Sequence, residues 1–130
     1  MIRSLLTKLQ RRTIMAWLCV FPKRIQQMSP EKLKRLYGIG DGLQLEVNLI
    51  DIRSPERFAI DHIPGAVNLP LDCLPEGASK LDPVRPTIVY CYKGVSSRVA
   101  AKLLTDCGFE NVISMMGGWD YWLYWEDATF

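Results

Sequence analysis

Two β-rich runs, "LEVNLID" (residues 45–51) and "TIVYC" (residues 87–91), each hand over within a few residues to a helix start. Both read as buried strands. After the first comes Ser54-Pro55-Glu56, with a hydroxyl at the N-cap, proline at the first helical position and an acid next. After the second comes "SRVAAKLLTDC", whose apolar residues Val99, Ala100, Leu103, Leu104 and Cys107 form one expected helix face, closed by Gly108. Strands that alternate with helices build a parallel α/β sheet with helices on both of its faces. The expected architecture is therefore a small three-layer domain, with a central, mostly parallel sheet of about five strands.

The remaining segments fit that plan. Ser29-Pro30-Glu31 starts a helix that runs through Leu36 and stops near Gly38-Ile39-Gly40. The short helix opened by Ser54 is expected to carry Phe58 inward. "HIPGAVNLP" (62–70) is a turn followed by a very short strand around Ala66–Asn68, and the proline-rich stretch 71–86 is expected as a loop with one helical turn. "NVISM" is another short strand, Gly117-Gly118 a turn, and Trp119–Glu126 a last helix. Its Trp119, Trp122 and Trp125 recur at helical spacing, which places them in the core rather than against a ligand.

Charge is unevenly spread. Residues 1–30 hold six basic residues and no acid, which leaves ten basic against fourteen acidic residues in the remainder. The chain divides on this reading into a basic extension, 1–24, and a domain, 25–130. No stretch approaches the roughly 20 apolar residues of a membrane-spanning helix. A basic, acid-free leader suits either a transit peptide or peripheral contact with a membrane or a protein. Without targeting, the location expected is cytoplasmic. The four cysteines, Cys19, Cys73, Cys91 and Cys107, form no CxxC pair, and there is one histidine, His62. That pattern gives no metal site and fits a reducing compartment.

Cys91 is the residue that invites chemistry. Ligands of α/β sheets collect beyond the carboxyl ends of strands, and Cys91 stands at such an end. The loop Tyr92–Ser96 feeds a helix, so its N–H groups and the helix dipole converge on one point and favour an anion there. A thiol so placed titrates below its usual value of roughly 8.5. Gly94 permits the tight loop, and Lys93 adds a cation at its rim. The alternative is a buried, inert strand-end cysteine.

From about residue 25 to 125 the sequence resembles a rhodanese domain. Its landmarks come in family order: "DIR" (Asp51, Arg53), "HIPGAVNLP" (His62–Pro70), the loop "CYKGVS" (Cys91–Ser96) and "GGWDYW" (Gly117–Trp122). The resemblance implies a thiosulfate sulfurtransferase-like enzyme with no cofactor. In it Cys91 accepts a sulfane sulfur as a persulfide and passes it to a thiophilic acceptor. The donor would be a small sulfur-containing anion or a persulfide, and the acceptor a thiol or cyanide-type nucleophile. Tyr92, Lys93, Gly94, Val95, Ser96 and Arg53 would bind substrate, with Asp51, His62, Ser97 and Arg98 as structural support. Tyr92 departs from the family, many of whose members carry arginine there. Lys93 and Arg98 would supply part of that charge.

Rival chemistries fit less well. A cysteine phosphatase needs C-x5-R with a bidentate arginine, and that position is Ser97. Arg98 is one residue too far, turned about 100° around a helix. The six-residue loop is also of the sulfur-binding size within the family. His62 is expected to cap a turn through its ring, with a role as catalytic base as the alternative. Nucleic acid is not an expected partner. A second reading stays open: a binding or sulfur-carrier module of the same fold, docked to a partner or membrane by residues 1–24.

Overall fold

The computed structural model describes residues 24–42 and 46–128. The expected extension therefore lies outside the described residues except for Arg24, as does the start of the "LEVNLID" run. Five strands form one sheet in the order β1-β5-β4-β2-β3, and every neighbouring pair is parallel. In chain order the elements are β1 (Gln26–Met28), α1 (Pro30–Tyr37), β2 (Asn48–Asp51), α2 (Pro55–Ile60), β3 (Val67–Asn68), a run of short helical turns including α3 (Leu74–Gly77), β4 (Thr87–Tyr90), α4 (Ser96–Asp106), β5 (Val112–Met115) and α5 (Gly118–Ala128). All-parallel pairing requires a crossover after each strand, and the helices supply these crossovers.

Side chains alternate across the sheet with the period of a strand and fill two cores. On one face Ile50, Val89 and Val112 pack with Leu74, Ala100, Ala101 and Leu104 beneath α3 and α4. On the other, Leu49, Ile88, Tyr90, Ile113 and Met115 pack with Leu33, Ile63, Trp119 and Trp122 beneath α1 and α5. Cys91 continues the Val89 side of β4 and so emerges on the α4 face.

The two Ser-Pro-Glu signals are N-caps. Ser29 and Ser54 accept from the amides of Lys32 and Arg57. Gly38 ends α1 in the left-handed region, where glycine has no steric cost. Trp119 and Trp122 are core residues, 6% and 1% exposed.

Four expectations need correction. β1 was not anticipated: "QQM" is short and polar, and it is held by main-chain pairing with Gln26–Met28 opposite Ile113–Met115. Residues 71–80 are almost continuously helical in three short pieces. Proline there starts a turn as readily as it breaks one. Phe58 does not enter the core; it stacks on His62, with ring centroids 3.7 Å apart. The buried face of α4 is also rotated from the expected one, being Ser97, Ala100, Ala101 and Leu104, whereas Val99 is 44% exposed. The helix lies so close to the sheet that small residues face it.

That rotation is testable. Ala101→Leu should destabilise the fold by about 1–3 kcal/mol through overpacking. Val99→Ser should change stability by no more than ~0.5 kcal/mol. Urea unfolding midpoints measure both, and the reverse ranking would restore the face expected from periodicity.

Candidate active site

Cys91 follows the last residue of β4, the central strand, and five residues later α4 begins. The residue that precedes α4, Val95, offers no side-chain cap. Sulfur takes that role instead: the Cys91 Sγ accepts from the amides of Gly94 at 3.2 Å and Ser97 at 3.3 Å. First-turn amides of a helix have no partner within the helix, and here a side chain at the strand end supplies one. Gly94 makes the loop close, with φ at 88°.

Burial is the largest single influence on the Cys91 thiol and pushes it up. The hydroxyl of Ser97 and the amides of Ser97, Gly94 and Lys93 together outweigh it, so the thiol titrates below its ordinary value. The exposed Cys73 goes the other way, pushed up first by the neighbouring Asp72.

A cavity of about 360 Å³ opens above the sulfur, lined by Ile52, Arg53, Leu71, Cys91, Tyr92, Lys93, Val95 and Ser96. All the residues expected around substrate are thus together, with Gly94 contributing its amide. Arg53 is held rigidly. Its Nε and Nη2 meet the Asp51 carboxylate at 2.8–3.1 Å, and Nη2 also donates to the Asp61 carbonyl at 2.6 Å. Asp51 is fully buried, and its Oδ1 also accepts from the Arg53 amide. The guanidinium lies 4.5 Å from the Trp119 ring centroid, a cation–π contact from below.

Of the expected supporting residues, Asp51 and Ser97 meet the site through Arg53 and the sulfur, whereas two stand apart. His62 does not line the cavity; its Nδ1 pairs with the Phe58 carbonyl at 2.8 Å, which is the turn-capping role. Arg98 is exposed on α4 and is also not among the lining residues. A cation that the sequence did not suggest replaces it: Arg57, on α2, lies 5.6 Å from the Tyr92 ring centroid, and Arg53 lies 5.5 Å from the same ring. The tyrosine is flanked by two guanidinium groups.

The turn Gly117-Gly118 is the second wall of the loop. The amides of Trp119 and Asp120, in the first turn of α5, bond the carbonyls of Cys91 at 2.8 Å and Tyr92 at 3.0 Å. A Cβ at Gly118 would stand 2.6 Å from the Cys91 carbonyl oxygen, so only glycine allows this approach. Ile52, Leu71 and Ser114 also escaped sequence reading. Only Ser114 carried a signal there, as a hydroxyl inside the apolar run "VISM".

The depressed thiol predicts an alkylation profile. Cys91 should react with iodoacetamide with a midpoint below roughly 8.5, and in urea the midpoint should return to that value. The folded excess therefore lies between the two values and vanishes as pH falls through the lower one. Ser97→Ala should raise the folded midpoint. A folded Cys91 that titrates like Cys73 would contradict the sulfur's amide and hydroxyl contacts.

Comparison with known proteins gives a consistent result. Residues 29–124 match the family model described as rhodanese-like domain. A thiosulfate sulfurtransferase GlpE of Haemophilus influenzae is 46% identical over 74 residues, which are 57% of this chain and 70% of that protein. The GlpE of Coxiella burnetii is 35% identical over 77 residues, 59% of this chain and 72% of its own. Among solved structures, the rhodanese-like domain of the Alr3790 protein from Anabaena sp. superposes with a TM-score of 0.58 at 28% identity, covering 65% of this chain and 86% of that one. By its sequence match, its all-parallel five-stranded sheet and its cysteine loop, this chain belongs to the rhodanese-like domain family.

Proposed function

We propose that this chain is a sulfurtransferase that carries sulfur as a persulfide on Cys91. The observation that carries the reading is the sulfur of Cys91 held by a loop amide and a first-turn helix amide, under an open cavity with cations on its wall. Relatives named thiosulfate sulfurtransferase make a thiosulfate-type anion the donor of choice.

In the first displacement the Cys91 thiolate attacks the outer sulfur of the donor. The Cys91–sulfur bond forms, the donor's sulfur–sulfur bond breaks, and sulfite leaves with the electron pair. In the second, a thiolate or cyanide attacks the terminal persulfide sulfur, and the Cys91 thiolate departs. No external oxidant or reductant enters, and the two half-reactions give ping-pong kinetics. The groups that hold the thiolate in the resting state also receive it as leaving group. Arg53 and Lys93 line the path of the incoming anion, and Arg57 strengthens the positive field beside Tyr92. The catalytic unit is residues 25–130, and a chain that starts at Ile25 retains β1 and should keep the activity.

Thiosulfate should add the mass of one sulfur atom to the protein, and cyanide should remove it as thiocyanate. Cys91→Ser should abolish both, whereas Cys73→Ser and Cys107→Ser should not. Sulfur loading that survives in the Cys91 variant would sink the assignment. A further expectation concerns charge. Lys93→Ala and Arg57→Gln should each raise KM for thiosulfate about two- to tenfold, with kcat little changed and a shallower salt dependence. An unchanged salt dependence in both would remove the cations from donor capture.

A further inference from the structure

Ser114 lies within β5, is 0% exposed, and is a polar residue among Val112, Ile113 and Met115. A buried hydroxyl without a partner is costly, so its hydrogen bond needs an explanation. Its Oγ lies 2.7 Å from the Oγ of Ser97, a distance that leaves the direction of donation open. The surrounding acceptors decide the direction. Ser97 sits against the Cys91 sulfur, to which its amide donates at 3.3 Å, so its one hydroxyl proton has two acceptors to choose between, that sulfur and the Ser114 oxygen. Ser114 has one proton and one side-chain partner, the Ser97 oxygen. Both protons find acceptors only if Ser114 donates to Ser97 and Ser97 donates to the sulfur.

We infer that Ser114 is a positioning residue for Cys91: it acts through Ser97, whose proton it turns toward the sulfur. This deepens the reading of Cys91 as the sulfur-carrying nucleophile and rests on it for its purpose. Two hydroxyls in line, ending on an anion, polarise one another, so the Ser97–sulfur bond is stronger than Ser97 alone would make it. Protonation of the sulfur reverses the economy of the chain. An S–H group is a donor, Ser97 would then turn toward Ser114, and the Ser114 proton would lose its acceptor. The pair thus favours the thiolate, both at rest and when the sulfur leaves in the second displacement.

Few other groups face the sulfur. Arg53 reaches the cavity from the β2–α2 connection, and Tyr92 and Lys93 from the loop of Cys91 itself. Leu71 is apolar, and the Val112–Met115 strand holds no titratable side chain. None of these is altered by substitution at Ser114.

The test is the pH profile of Cys91 alkylation by iodoacetamide on the full chain, read by mass on the Cys91 peptide, together with circular dichroism for folding. Threonine and valine share a shape and differ by the hydroxyl. Ser114→Val should raise the midpoint and lower the rate below it by about two- to threefold, whereas Ser114→Thr should stay close to the starting protein. Ser114→Ala, which only removes an oxygen, should behave like the valine variant and guards against a valine variant that fails to fold. In a Ser97→Ala background the Ser114→Ala change should have no further effect, because the link to the sulfur is already gone. Equal shifts for threonine and valine, no shift for valine and alanine, or a full shift without Ser97 would each overturn the proposal. The readout needs no sulfur donor. If alkylation follows this pattern while thiosulfate adds no mass, the sulfurtransferase reading falls and the hydroxyl relay stands.

Discussion

A sulfur that caps both a loop amide and a first-turn helix amide is the constraint on which this site depends. The amides of Gly94 and Ser97 need an acceptor, and Cys91, at the end of the central strand, is the one provided. This mutual satisfaction ties the strand end, the loop and α4 into one unit. It also makes the charged form of the cysteine the one that completes the hydrogen bonding, so structure and reactivity draw on the same contacts. Small residues on the inner face of α4 belong to the same arrangement. Ser97, Ala100 and Ala101 let the helix sit low on β4 and β5, where its N-terminus can reach the sulfur.

The charge on the cavity wall has a different support. A buried ion pair is a poor source of net stability, because desolvation offsets most of the attraction. Its contribution here is geometric. Asp51 fixes Arg53 through two nitrogens, the Asp61 carbonyl fixes it again, and Trp119 lies beneath the guanidinium. Asn68 bonds the carbonyls of Asp51 and Arg53 at 2.9 Å and so anchors the backbone of the pair to β3. Arg53 therefore presents charge at a fixed height, whereas Lys93 lies on the exposed rim. Tyr92 adds an aromatic face between Arg53 and Arg57.

Much of this was legible in the residues, and the limits have physical causes. Hydroxyl-proline-acid starts and apolar β runs are local signals, and they located α1, α2, β2 and β4. Cys91 stood out because strand end, glycine loop and helix start are contiguous in sequence. β1 was not legible, since its three residues pair through main-chain groups that carry no side-chain signature. The face of α4 was misjudged because apolar periodicity marks the larger side chains, whereas the closest approach to a sheet is made by the smallest. Arg57, Leu71 and Trp119 reach the site from three other elements, and only the folded chain brings them together. Arg98 was favoured for its nearness in sequence, yet one residue along a helix places it outside the cavity lining.

The close approach of Gly94 and Gly118 has a consequence for what this loop can become. A Cβ at Gly94 would come within 2.9 Å of the Gly117 amide, and one at Gly118 would meet the Cys91 carbonyl. The cradle is thus cast against a neighbouring turn and cannot widen by its own sequence alone. Lengthening it to hold a larger oxyanion would also require the β5–α5 turn to move outward. A lineage exploring phosphate chemistry from this starting point would have to change two segments more than twenty residues apart in concert. Until both had changed, each alone would cost packing and gain no new ligand.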